Sequence, residues 1–130
     1  MSNLFIGLGA VSAFIAVSAG AFGAHGLKQL LDSEMLAVYQ TAVDYQVFHS
    51  LGLIMIGILE KISPRHCHRV AAWAMLAGIF IFSGSLYILS TTGIKWLGMI
   101  TPVGGLSFLA AWLILALGYL TARRDTGNES

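Results

Sequence analysis

Four long apolar runs divide the chain, at about residues 4–24, 43–59, 70–89 and 103–122, and polar residues collect between them. Each run approaches the roughly 20 apolar residues that a helix needs to cross a hydrocarbon core about 30 Å thick. The two prolines, Pro64 and Pro102, both fall outside the runs, as uninterrupted helices require. The pattern predicts an all-α fold: one domain over residues 1–130, an integral membrane bundle of four transmembrane helices without internal repeats.

Between the first two runs the pattern changes. Leu27, Leu31, Met35, Val38, Tyr39 and Ala42 recur at helical spacing, while Lys28, Asp32 and Glu34 stay polar. This is an amphipathic helical segment. Asp32 or Ser33 can cap it, and Glu34 then sits in the acid-favouring first turn. A helix unbroken from Ser33 to Glu60 would be about 42 Å long, more than the apolar thickness. Its first part is therefore expected to lie on the outer surface or project beyond it. In the first run, Ser12, Ala16, Gly20 and Ala24 form a small-residue stripe, which in lipid lets two backbones approach closely. Ser18-Ala19-Gly20-Ala21 could pass for a signal-cleavage region. However, Met1-Ser2-Asn3 carries no positive charge and the run is too long for a signal, so the first span is expected to stay.

Composition agrees with lipid as the solvent, at 57% hydrophobic and 10% charged. A net charge of +1 provides no basic face for phosphates, so no nucleic-acid partner is expected. The single cysteine, Cys67, rules out an internal disulfide. Lys61, Arg65, Arg69, Arg123 and Arg124 fall on one side of a four-span model, and only Lys28 and Lys95 on the other. The positive-inside rule then places both termini in the cytoplasm. The polar tail from Arg123 to Ser130 is expected to be short and mobile.

The polar residues within the spans gather at one depth near the outer side. They are His25, then Asp44, Tyr45, Gln46 and His49, then Ser83, Ser85 and Tyr87, then Thr101 beside Pro102. Ionisable residues at such a depth usually face the protein interior or water, which makes the set a candidate ligand-binding pocket. Mutual satisfaction between helices is the plainer reading and the favoured one. Asp44 and His49 point about 140° apart on a helix, so they make no acid–base pair, and His49 aligns with Tyr45 and Gln46. A metal at His25, Asp44 and His49 is disfavoured, and no cofactor is expected. His66-Cys67-His68 reads as a solvated basic turn, and Gly104-Gly105 as a place of close packing. No nucleophile elbow, zinc-protease motif or dinucleotide fingerprint occurs, so no catalytic residue is assigned and no enzyme is expected.

Several blocks taken together carry a resemblance: Gly20-Ala21-Phe22-Gly23-Ala24-His25-Gly26-Leu27, Thr41-Ala42-Val43-x-Tyr45-Gln46-x-x-His49, Ser83-Gly84-Ser85-Leu86-Tyr87 and Ile100-Thr101-Pro102-x-Gly104-Gly105. The chain resembles the bacterial inner-membrane family labelled domain of unknown function 423, and is similar to the eukaryotic transmembrane protein 256 group. The resemblance covers nearly the whole chain. It implies four transmembrane helices in a bacterial plasma membrane and no known reaction.

Two functional expectations follow. The first is a non-enzymatic membrane protein that packs, binds lipid or a small ligand, or supports an assembly. The alternative is a proton or small-solute carrier or channel using the outer polar pocket, although the inner halves of the spans offer few polar residues for a water path. Membrane lipids and further copies of the chain, as a homo-oligomer, are the expected partners.

Overall fold

The structure is a computed structural model. It describes residues 1–125, with side chains described to residue 122. Helix α1 (Ser2–His25) leads through a 3-10 turn (Leu27–Gln29) into α2 (Ser33–Ile62). Helix α3 covers His66–Thr92, and after a 3-10 segment (Lys95–Met99) α4 runs over Thr101–Asp125. No strand occurs among the described residues, and all four helices are long and apolar enough to cross a membrane. Each expected span falls inside one of them. We call the end of the bundle with the 26–32 and 93–100 connections the upper end. Residues 126–130 of the expected mobile tail lie outside the described residues, as do the side chains of Arg123, Arg124 and Asp125.

Helix α2 begins where its sequence asks. Asp32 accepts the Met35 N–H at 2.7 Å, and Glu34 occupies the first turn. The helix then runs unbroken for 30 residues, about 45 Å, so its amphipathic start is continuous with the second span. Pro64 and a three-residue connection separate α2 from α3. The expected solvated turn is shorter than the sequence suggested. Helix α3 already starts at His66, and His68 is fully buried in its first turn while His66 stays exposed. At its other end α3 reaches Thr92, beyond the expected 89. It stops at Gly93, whose φ of 73° is left-handed.

Helix α1 is held against α2 by small residues. A Cβ on Gly9 would lie 2.9 Å from the Ser50 carbonyl oxygen, and one on Gly57 would lie 2.9 Å from the Ile6 backbone nitrogen. The two backbones therefore approach closely at both places. Ser12, Ala16 and Gly23 are also buried, but Ala24 of the expected stripe is exposed. A strict i+4 row drifts about 40° per step around a helix, so the contact seam swings from Ala24 to Gly23.

Helices α3 and α4 meet in the same way. Gly104 receives the backbone of Phe82, and Gly78 receives the ring of Phe108. Phe82 lies in a π-helical turn (Ile79–Ser83) within α3. There Phe82 faces α4, while the next residue, Ser83, donates to the Ala42 carbonyl of α2 at 2.9 Å. The central core is built on Phe5, Leu53, Ile56, Met75, Ala111 and Leu115. Around it, Phe14, Phe80, Leu109 and Leu120 expose most of their surface, as lipid-facing side chains do.

Candidate functional site

Helix α2 carries two different polar environments, one on each side. Towards α1 and α3 it presents Gln46, which is buried. The Gln46 amide donates to the Ser12 carbonyl at 3.1 Å and lies 3.3 Å from the Ser12 hydroxyl. Its Oε1 accepts the Tyr87 hydroxyl at 2.6 Å. Ser50 donates to the Ser12 hydroxyl at 2.7 Å, and Tyr39 to the Ala19 carbonyl at 2.6 Å. The Tyr39 and Tyr87 rings meet edge to face, 5.3 Å apart. Within hydrocarbon every such group needs an internal partner, and here each finds one, tying three helices together.

Towards α4 the same helix presents Tyr45 and His49. The Trp112 indole nitrogen lies 3.2 Å from His49 Nε2, and His49 Nδ1 lies 2.7 Å from the Tyr45 carbonyl oxygen. Indole can only donate, so Nε2 accepts and the ring proton sits on Nδ1. The imidazole is stacked on Phe108 with centroids 3.5 Å apart and planes 10° from parallel. Both nitrogens are occupied, which leaves neither as a base or a ligand in this arrangement.

Above this floor, α2 and α4 part to form a groove of about 840 Å³. Beside His49, its walls carry the aromatic side chains of Tyr45, Phe48, Phe82, Phe108 and Trp112, and Asp44 stands on the same wall. Tyr45 packs on Phe82 at 4.5 Å, and Phe48 lies 5.6 Å from Trp112. Pro102 and Gly105 border the groove on α4. A smaller groove of about 440 Å³ lies between α1 and α3, with Ser12, Gln46 and Tyr87 of the paired seam in its lining.

One shared pocket was expected, but the structure divides those residues. Gln46 and Tyr87 join the α1–α2–α3 seam, with Ser83 bonded close by. Ser85 and Thr101 pair with each other at 2.7 Å, linking α3 to the start of α4. Asp44, Tyr45 and His49 line the groove on the other side of α2. The reason is angular: residues three apart, such as Gln46 and His49, still differ by about 60° around the axis, enough to meet different helices. His25 belongs to neither group. It is exposed at the end of α1, and among the described residues its ring makes no hydrogen bond. Of the Gly104-Gly105 pair read as a place of close packing, Gly104 packs closely against α3, while Gly105 borders the groove in ordinary contact.

Sequence reasoning missed Trp112, Phe82 and Phe108, which look like ordinary span residues until α4 is placed beside α2. It also missed a polar clasp at the lower end. There Glu60 accepts the Arg65 N–H at 2.9 Å, and its carboxylate lies 3.5 Å from Arg69 Nε. His68 Nδ1 lies 3.3 Å from Glu60, within ion-pair range but off the hydrogen-bond direction. His68 Nε2 meets the Tyr119 hydroxyl at 2.9 Å, and the Arg65 guanidinium covers the Tyr119 ring at 5.0 Å. The available signal was Glu60 itself, an acid at the edge of an apolar run. Among the described residues no group of three His, Cys, Asp or Glu is placed to hold a metal.

A family model described as protein of unknown function (DUF423) matches residues 19–105. The chain is 47% identical over 116 residues to the UPF0382 membrane protein YwdK of Bacillus subtilis, covering 88% of this chain and 94% of that one. It is also 47% identical to a UPF0382 membrane protein of Staphylococcus saprophyticus, covering 89% and 96%. A UPF0382 membrane protein of Staphylococcus aureus is 46% identical, with 88% and 93% covered. No solved structure matches.

Proposed function

We propose, for a chain that belongs to the DUF423 family of membrane proteins, that it holds the apolar chain of a membrane amphiphile in the groove between α2 and α4. The observation that carries this reading is the groove itself. Its volume of about 840 Å³ lies in the range of small-molecule sites, its walls are aromatic, and the polar atoms of its floor are already paired. Such a surface favours binding over chemistry, because His49 is engaged at both nitrogens and the walls are apolar apart from Asp44 and the Tyr45 hydroxyl. The basic residues at the lower end support a plasma-membrane orientation with that end and both termini cytoplasmic. The groove then opens in the outer leaflet.

Trp112 reports on occupancy. In a single-tryptophan protein (Trp73→Phe with Trp96→Phe), a long-chain alcohol with a dibrominated chain should quench Trp112 more strongly than it quenches a matched Trp73-only protein. Trp73 faces outward beside Phe5 and serves as the ordinary lipid-exposed reference. Gly105→Phe, which would fill the groove, should abolish the excess. Equal quenching of Trp112 and Trp73, or quenching unchanged by Gly105→Phe, would overturn the reading.

A further inference from the structure

The groove combines a carboxylate with stacked aromatic rings, and among its lining residues there is no lysine or arginine. Asp44 is exposed on the wall. Its Oδ1 accepts the Gln40 amide at 2.9 Å, and among the described residues no other side chain bonds to the carboxylate. Phe48 lies one turn further along the same face of α2, and Tyr45 is the adjacent residue. A cation entering between α2 and α4 would thus meet a negative charge beside the faces of electron-rich rings. Each of these attracts an ammonium group, and their effects reinforce one another where water is scarce. An anionic head would face the carboxylate with no cation to balance it.

We infer that the occupant of this groove is an ammonium-headed amphiphile, its nitrogen paired with Asp44 and its chain lying against Phe108, Leu109 and Trp112. The inference rests on the proposed chain-binding reading and adds the chemistry of the head. His49 takes no part in recognising the charge, because both its nitrogens are engaged by Tyr45 and Trp112. Asp44 supplies the charge and the rings supply the shape.

The test uses the same Trp112-only protein in nanodiscs of zwitterionic lipid, with three probes that share one dibrominated chain: a primary amine, the alcohol and the carboxylic acid. The amine is expected to reach half-maximal quenching at about tenfold lower mole fraction than the alcohol, with the acid weakest. Asp44→Asn should remove the amine's advantage over the alcohol, and Asp44→Glu should keep it. Equal response to all three heads, or an amine preference that survives Asp44→Asn, would overturn the inference and leave chain binding standing. Asp44 would then be only a hydrated surface acid. Failure of every probe to quench Trp112 beyond the Trp73 reference would remove both readings. Because Asp44 is exposed, the substitutions are not expected to disturb folding, and an unchanged melting temperature checks this.

Discussion

Trp112 of α4 donates its indole N–H to Nε2 of His49 on α2, 3.2 Å away, and this bond spans the floor of the groove. Its partner bond, from His49 Nδ1 to the Tyr45 carbonyl, holds the ring in the one tautomer able to accept it. Each single change, Trp112→Phe or His49→Phe, should lower stability by about 1 kcal/mol, the scale of interhelical hydrogen bonds in membranes. The double variant should lose less than the sum, since the shared Trp112–His49 bond is lost in both single variants and can be lost only once. Unfolding titrations in mixed micelles measure all three, and strict additivity would show that the pair is not coupled.

Neighbouring glycines on α4 should respond very differently to the same methyl group. A Cβ on Gly104 would run into the Phe82 backbone, whereas one on Gly105 would sit 3.8 Å from the Phe82 ring, in ordinary contact. Gly104→Ala should therefore cost about 1–3 kcal/mol as overpacking, and Gly105→Ala close to nothing. Melting temperatures of the two purified variants decide it, and a similar loss for both would contradict the α3–α4 approach described above.

Gln46 joins three helices, so its loss should be felt at each. Gln46→Leu leaves the Tyr87 hydroxyl without its acceptor and should cost about 1–2 kcal/mol. Tyr87→Phe, which removes one bond and leaves Oε1 unpaired, should cost a comparable amount. A Gln46→Leu protein as stable as the parent would show that the seam contributes no net energy.

The orientation is tested by thiol accessibility. Cys67 is a poor reporter, because its sulfur packs against Gly118. Ser63 is exposed in the short α2–α3 connection, and Lys28 is exposed at the upper end. In a Cys67→Ser background, a membrane-impermeant maleimide should label Lys28→Cys in intact spheroplasts and Ser63→Cys only in inverted vesicles. The opposite result would place the groove in the inner leaflet.

Much of this fold was legible in the sequence because it rests on local rules. Asp32 caps α2, Pro64 breaks it, and the apolar runs are long enough to span. The site was less legible because it depends on which helices meet. His49 and Gln46 look like members of one cluster along the chain, and only the placement of α1 and α4 on different sides of α2 separates them. His68 was misread because a histidine beside Arg69 and Cys67 looks solvated until Glu60 and Tyr119 close over it. The expectation of self-association was argued from polar side chains in need of cover. Gln46, Ser83 and Ser50 find that cover within one protomer, so the argument for it weakens.

A ribosome delivers α1 and α2 to the membrane before α3 has been made. The seam between them is already complete in its essentials: Gly9 and Gly57 let the backbones close, and Ser12 takes the Gln46 amide. The first half of the chain can thus leave the insertion machinery as a sealed hairpin, with Gln46 Oε1 awaiting its donor. Tyr87 arrives with the second half and supplies that donor. The order of synthesis can therefore also be an order of assembly, with Gln46 one of the acceptors, beside the Ala42 carbonyl and His49, on which the second hairpin docks.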